Sequence, residues 1–249
     1  MSEISIIRKI SQSVRFPPLL LFLISFFLRL SLISKGPYHV DVLDLMIKAE
    51  HLLKTGELLP LFGSGYPLAV ILAAGFIKGC QFVGIGDLAL AVNLVSVVFG
   101  ALAVVVFYYL AYAMFDRRVA VVSATLFSVT PIFLGLSVYG KNHVPALYFF
   151  LQSLVFLHGA GRRQGYLFYV LAGLSLGAMG AYRLQDLILL LPAWVAFAAF
   201  LPKAGGKVIS LRREIALMAG VAGLVVLAFH LPFLRSEERR VGKECTIQC

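Results

Sequence analysis

An otherwise apolar chain carries one stretch dense in ionisable groups, His39-Val40-Asp41-Val42-Leu43-Asp44-Leu45-Met46-Ile47-Lys48-Ala49-Glu50-His51-Leu52-Leu53-Lys54-Thr55-Gly56. Leu45, Ile47, Ala49, Leu52 and Leu53 give it the pattern of a moderately amphipathic helix ending at Gly56. Asp41 stands at the start of that helix. There a carboxylate meets the positive helix end, either as an acid-base group or as a plain N-cap. Asp44 follows one turn later on the same face, where the pair could share a proton or a cation. A second constellation, Tyr182-Arg183-Leu184-Gln185-Asp186-Leu187, lies between two apolar runs. A guanidinium in that place suits a lipid phosphate because it binds in bidentate fashion. The competing reading is an Arg183–Asp186 pair, three residues apart, that only pins a helix turn.

Composition sets the kind of element that must hold these groups. Of the 249 residues, 60% are hydrophobic and 14% charged, and the mean hydropathy is +0.92. A water-soluble domain of this size could not carry that balance on its surface. The chain is therefore predicted to be an integral membrane protein, which excludes soluble Rossmann, nuclease and regulator classes. The net charge of +10 reads as membrane topology and not as a nucleic-acid surface, because basic residues gather in cytoplasmic loops. Polar groups placed in or beside a bilayer are costly and are functional candidates by default.

The first apolar run, 16–33, follows Arg8, Lys9 and Arg15 and has no small-residue cleavage site behind it, so it reads as a retained signal anchor. Further runs lie at 66–83, 87–114, 119–137, 144–160, 165–182, 184–201 and 214–234, punctuated by Arg117-Arg118, Arg162-Arg163 and the cluster from Lys203 to Arg213. If all were full crossings, these basic loops would fall outside. Segment 35–64, with three lysines against four carboxylates, has no positive bias. Placing 66–83 along the outer interface puts every basic loop inside and leaves 35–64, Ser137–His143 and the Tyr182-Arg183 turn outside. The predicted fold is all-α, a polytopic transmembrane helix bundle with about seven crossings plus an outer-face juxtamembrane helix, amino terminus cytoplasmic. Residues 1–234 form one membrane domain. The charged, non-periodic stretch 235–249 reads as a non-native tail, so the native protein would continue past Leu234.

Other features carry less. Cys80 is isolated and Cys245 and Cys249 lie in the tail, so neither a disulfide framework nor a metal spacing is present. His158 and His230 read as interface histidines, and Tyr108, Tyr109 and Tyr112 as packing and belt residues. Gly173, Gly177 and Gly180 mark close helix contact. Gly84-Ile85-Gly86 lacks the strand context of a nucleotide loop.

In order along the chain come a signal-anchor helix, an acidic outside loop, Gly65-Tyr66-Pro67-Leu68, then Phe115-Asp116-Arg117-Arg118 and an Ala-containing helix into Thr130-Pro131. This set resembles the amino-terminal half of the C-type (GT-C) membrane glycosyltransferases, the protein O-mannosyltransferase and lipid A aminoarabinose transferase group, within it the lipopolysaccharide core galacturonosyltransferase-like branch. The resemblance covers about 14–202. It implies a polyprenyl-phosphate sugar donor and an essential acidic residue in the first outside loop, matched by Asp41. The family often has Asp-Glu there, whereas Val42 follows Asp41 here, leaving Asp44 as the second carboxylate. In the second outside loop the family often supplies a carboxylate, and this chain offers Lys141, Asn142 and His143 instead. Tyr182-Arg183-Leu184-Gln185-Asp186 stands where the family commonly reads Thr-Arg-Pro-Glu-Gly.

The resulting expectation is an inner-membrane or plasma-membrane glycosyltransferase that moves a sugar from a polyprenyl-phosphate donor to an envelope acceptor on the outer side. Asp41, with Asp44 beside it, serves the acceptor, while Arg183, Lys141, His143 and Tyr66 serve the donor phosphate and substrate. No metal ligands are assigned, and a divalent cation is the one cofactor left open. Partners are the lipid-linked donor, the acceptor and the bilayer, with no nucleic acid. The alternative is a non-enzymatic lipid or solute carrier. Carriers tend to place charges at mid-membrane in paired repeats, and here they gather at the outer face without a repeat.

Overall fold

The computed structural model describes residues 3–61, 66–163, 166–200 and 211–247. Gly65, Lys203 and Lys207 lie outside the described residues, as do the side chains of Arg8, Lys9, Arg15, Arg162, Arg163, Arg212 and the charged tail. Among the described residues every regular element is a helix. In chain order they are α1 (Glu3–Ser31), α2 (Val40–Thr55), α3 (Pro67–Phe82), α4 (Leu88–Met114), α5 (Arg117–Val129), α6 (Pro131–Leu136), α7 (His143–Arg163), α8 (Tyr166–Tyr182), α9 (Leu184–Phe200) and α10 (Leu211–Ile247). Leu88–Met114, His143–Gly161 and Arg213–Leu231 are long and apolar enough to cross a membrane, and Pro17–Ser31, Pro67–Phe82, Tyr166–Tyr182 and Leu184–Ala199 are shorter apolar helices. The chain is a multi-pass membrane helix bundle.

Local chemistry explains the boundaries. Asp87 caps α4 by accepting from Leu90 N at 3.1 Å, and Asp116 caps α5 by accepting from Val119 N at 2.9 Å. The apolar run 119–137, read from the sequence as one crossing, is two helices. Pro131 lacks an amide proton and disfavours helical geometry in the residue before it, so α5 stops at Val129 and α6 restarts at the proline. Gly56 takes the left-handed conformation, φ 74°, and returns its N–H to Leu52 O at 2.9 Å, closing α2.

Helix α4 is the central post, packing against α1, α5, α7 and α3, and α8 packs against α7 and α10. On α2, Val42, Leu45 and Ala49 are buried, and α2 packs on α3. Leu43 and Ile47 stay exposed, so α2 also carries an unburied apolar face. Tyr66, just before α3, donates through its hydroxyl to Gln185 at 3.0 Å, and Asn93, just past the start of α4, donates to Ser34 O at 2.9 Å. Both contacts lie at the end of the bundle where α1 finishes and α7 begins.

Two close approaches lock the bundle. Arg29, 0% exposed, donates to Ser25 O at 3.1 Å and to Ser128 O at 3.1 Å, and its guanidinium carbon lies 4.9 Å from the Phe133 ring centre. It joins α1 to α5 and α6 through carbonyl, hydroxyl and ring partners and without a carboxylate among its described contacts. The sequence reading passed over Arg29 because it stands alone inside an apolar run. On α8, a Cβ added at Gly173 would lie 2.8 Å from Met218 O, and one at Gly177 would lie 2.6 Å from Val225 Cβ. The small-residue face is therefore the seat of α10. Gly177→Leu is expected to separate the two helices and destabilise the protein by about 1–3 kcal/mol. A thermal-unfolding shift in detergent would measure it, and an unchanged midpoint would contradict the contact.

Candidate active site

Four chain segments converge at the end of the bundle that carries Asp41. The first is the loop leaving α1, which is bonded to the loop before α7 through Ser34 N to Val138 O at 2.9 Å. Helix α2 follows, and its N-cap is His39, not Asp41. Nδ1 of His39 lies 3.2 Å from Asp41 N and 3.1 Å from Asp41 Oδ1. One nitrogen cannot serve both partners at once: as an acceptor it caps the helix, and as a donor it holds the carboxylate. Asp41 sits in the first turn, near the positive helix end, with its side chain 38% exposed.

Asp44 does not join it. Its carboxylate pairs with Lys48 at 3.0 Å, and Lys48 also donates to Pro60 O. The two loop carboxylates, expected to act together, have separate partners, His39 for Asp41 and the i+4 lysine for Asp44.

The second segment is Tyr139-Gly140-Lys141-Asn142, leading into His143 at the start of α7. The Lys141 ammonium lies 5.8 Å from the Tyr139 ring centre, and Lys141 O accepts from Ser96 Oγ at 3.2 Å. The third is the junction of α8 and α9. Arg183 N donates to Met179 O at 2.7 Å, and the guanidinium is held between two groups. Nε is 3.2 Å from Asp186 Oδ1, while Nη1 meets both nitrogens of His143, with Nε2 at 2.8 Å. The Arg183–Asp186 pair drawn as the competing reading is thus present, and the same arginine still lines the open groove. The fourth is Tyr66, which adopts φ 40° and ψ 54°, a strained conformation for a residue bearing a Cβ, and leads into Pro67 at the first position of α3.

Asp41, Tyr66, Lys141, Asn142, His143, Arg183 and Gln185 together line a cavity of about 250 Å³. That is below the roughly 300–1,000 Å³ of drug-sized pockets, so it admits a small polar group and not a whole lipid. Five of the six residues proposed from the sequence meet there, and Asp44 stays outside. Gln185 went unassigned, although it lies two residues from Arg183 in the same motif. Its lining combines one carboxylate with an ammonium, a guanidinium, an imidazole and two carboxamides, groups that can hold an anion and accept a proton.

A larger cavity of about 840 Å³ opens at the opposite end of α4 and α7, among Tyr109, Tyr112, Arg117, Val155, His158 and Phe168. Its lining is mostly aromatic and aliphatic, and its carboxylate, Asp116, is committed to capping α5, so the smaller polar cleft is the better place for chemistry. Among the described residues no three His, Cys, Asp or Glu side chains come together in the way of metal ligands.

The profile of the dolichyl-phosphate-mannose-protein mannosyltransferase family matches residues 72–233. The chain belongs to this family. The structure is also similar to the Saccharomyces cerevisiae protein O-mannosyltransferase Pmt1-Pmt2 complex bound to the sugar donor, with a TM-score of 0.65 and 20% sequence identity over 89% of this chain. The aligned part is 34% of that protein's chain, so this sequence spans about a third of its length. Among curated proteins no match is found. As a mannosyltransferase-family member, the chain has the GT-C type of membrane helix bundle, and Arg183, Lys141, Asn142, His143 and Gln185 all fall within the family-matched region. Asp41 and Tyr66 precede it.

Proposed function

We propose that the protein is a membrane glycosyltransferase that moves a sugar from a polyprenyl-phosphate donor to an acceptor hydroxyl at the outer face. The observation that carries this reading is the cleft itself: one carboxylate and two cationic side chains lining one small cavity, on a mannosyltransferase-family scaffold. The donor phosphate would lie against Arg183 and Lys141, with the Asn142 and Gln185 amides supplying further hydrogen bonds. The Tyr66–Gln185 bond fixes one wall of that side.

In the chemical step, the acceptor oxygen attacks the anomeric carbon as the carbon–oxygen bond to phosphate breaks. The acceptor proton passes to Asp41, and the electron pair leaves on the phosphate. The guanidinium and ammonium neutralise the charge that appears there, in a cleft that is only partly wet. Asp186 and His143 hold Arg183 from behind and beside, so the guanidinium is positioned before substrate arrives. The outer-face position follows from the charge-derived topology, with the amino terminus inside.

Reconstituted full-length protein, supplied with a polyprenyl-phosphate hexose and a hydroxyl acceptor, is expected to form glycosylated acceptor and free polyprenyl phosphate in equal amounts. A nucleotide sugar should not replace the donor. Movement of the intact donor across the bilayer without acceptor glycosylation would identify a carrier and overturn the proposal.

A further inference from the structure

A buried residue outside the cleft bridges two of the loops that lead into it. Asn93 lies on α4 and is 0% exposed. Its Nδ2 donates to Ser34 O at 2.9 Å and to Gly36 O at 3.4 Å, and its Oδ1 accepts from Gly140 N at 2.8 Å. Ser34 and Gly36 belong to the loop that leads to Asp41, and Gly140 immediately precedes Lys141, Asn142 and His143. The partners dictate the orientation of the amide, since carbonyls face one side and an N–H the other. Aspartate in its ionised form could not donate, and an aliphatic side chain could do neither.

The surroundings of Asn93 reinforce this junction. Gly140 approaches α4 so closely that an added Cβ would sit 2.7 Å from Val92 Cγ1 and 3.1 Å from Val92 O. One turn along α4, Ser96 Oγ donates to Lys141 O at 3.2 Å. Ser34 N also reaches Val138 O at 2.9 Å, so the two loops are bonded to each other as well as to the post. The inner surface of α4 thus presents a carboxamide and a hydroxyl to the backbones of both loops that carry the proposed chemistry. None of these groups reaches the cleft, whose lining does not include Asn93 or Ser96.

We propose that Asn93 is a positioning residue, a buried clamp that holds the acceptor-side loop bearing Asp41 at a fixed distance from the donor-side loop bearing Lys141 and His143. The inference rests on the transferase reading. Arg183 and Gln185, at the junction of α8 and α9, make no contact with Asn93 and still line the donor side, so loosening the clamp leaves binding of donor or acceptor nearly intact while the joint geometry needed for in-line attack is lost. A misplacement of about 1 Å can cost about 10²-fold in rate, and a loss confined to the transition state appears in kcat and not in KM.

The test uses full-length Asn93→Leu, which keeps the side-chain size and removes both hydrogen-bonding functions, and Gly140→Ala, which pushes the same junction apart while leaving the amide in place. Transfer is measured per folded enzyme. Dipolar broadening between nitroxides at Tyr38 and Val138 reports the loop separation independently of activity. Expected are a kcat lower by about 10²-fold, KM values for donor and acceptor within about threefold of wild type, and weaker broadening in both variants. A merely structural role would lower the amount of folded protein and leave kcat per folded enzyme unchanged. That result beside an active wild type, a change in KM alone, or broadening that survives both substitutions would overturn the clamp. No transfer by the wild-type protein would count against the transferase reading, and the spin labels would still decide whether the clamp exists.

Discussion

Asp41→Asn in the full-length protein is expected to lower sugar transfer by about 10²–10⁴-fold, the usual worth of a positioned acid-base group, while leaving the fold intact. Asparagine has the same shape and cannot take the acceptor proton. The structural loss is small because His39, and not Asp41, is the N-cap of α2. What disappears is the attraction between a carboxylate and the helix end, typically about 0.3–1 kcal/mol, together with an exposed contact to His39. The control is Asp44→Asn. Asp44 pairs with Lys48 at 3.0 Å and lies outside the cleft, so its substitution should leave transfer within a few-fold of wild type. Equal damage from both would return the second carboxylate to the mechanism.

Arg183→Ala is expected to cost about 10²–10³-fold in kcat, the scale found when one preorganised stabiliser of developing negative charge is removed. Arg183→Lys should fall in between, since an ammonium keeps the charge and gives up the planar fork. Arg183 touches Asp186 as well as His143, so a loss of activity could in principle come from the helix turn. Asp186→Asn separates the two roles. It removes the pinning partner and leaves the guanidinium in the groove, so it should retain far more transfer than Arg183→Ala. Similar losses in both would mean that the arginine acts only through the turn.

The sequence makes these features legible to a degree that differs from residue to residue. The helix bundle followed from apolar runs and basic punctuation. Pro131 was visible in the sequence, yet its effect was not drawn: a proline inside an apolar run reads as one crossing until the carbonyls it leaves unpaired are considered. The cleft was legible because charges are scarce in such a chain, so Asp41, Lys141, His143 and Arg183 stood out singly. Their convergence came from loops more than 40 residues apart in most pairs, which no local pattern encodes. Asp44 was misplaced relative to the cleft because helical spacing brings it to Asp41 and to Lys48 alike, and only side-chain geometry decides between them. Asn93 and Arg29 were overlooked for opposite reasons. Asparagine inside a hydrophobic helix carries no charge to draw notice, and Arg29 was absorbed into the signal-anchor pattern, where its serine partners on two helices cannot be seen.

Division of labour across the cleft is the central claim, with the carboxylate serving the acceptor and the cations the donor phosphate. Equilibrium binding of a polyprenyl-phosphate hexose to detergent-solubilised full-length protein, measured beside transfer in the same preparations, tests it most directly. The expected result is that Asp41→Asn binds donor with near-wild-type affinity and transfers almost none of it, while Arg183→Ala loses donor affinity along with transfer. Donor binding that falls equally in both variants, or transfer that survives Asp41→Asn, would contradict the account.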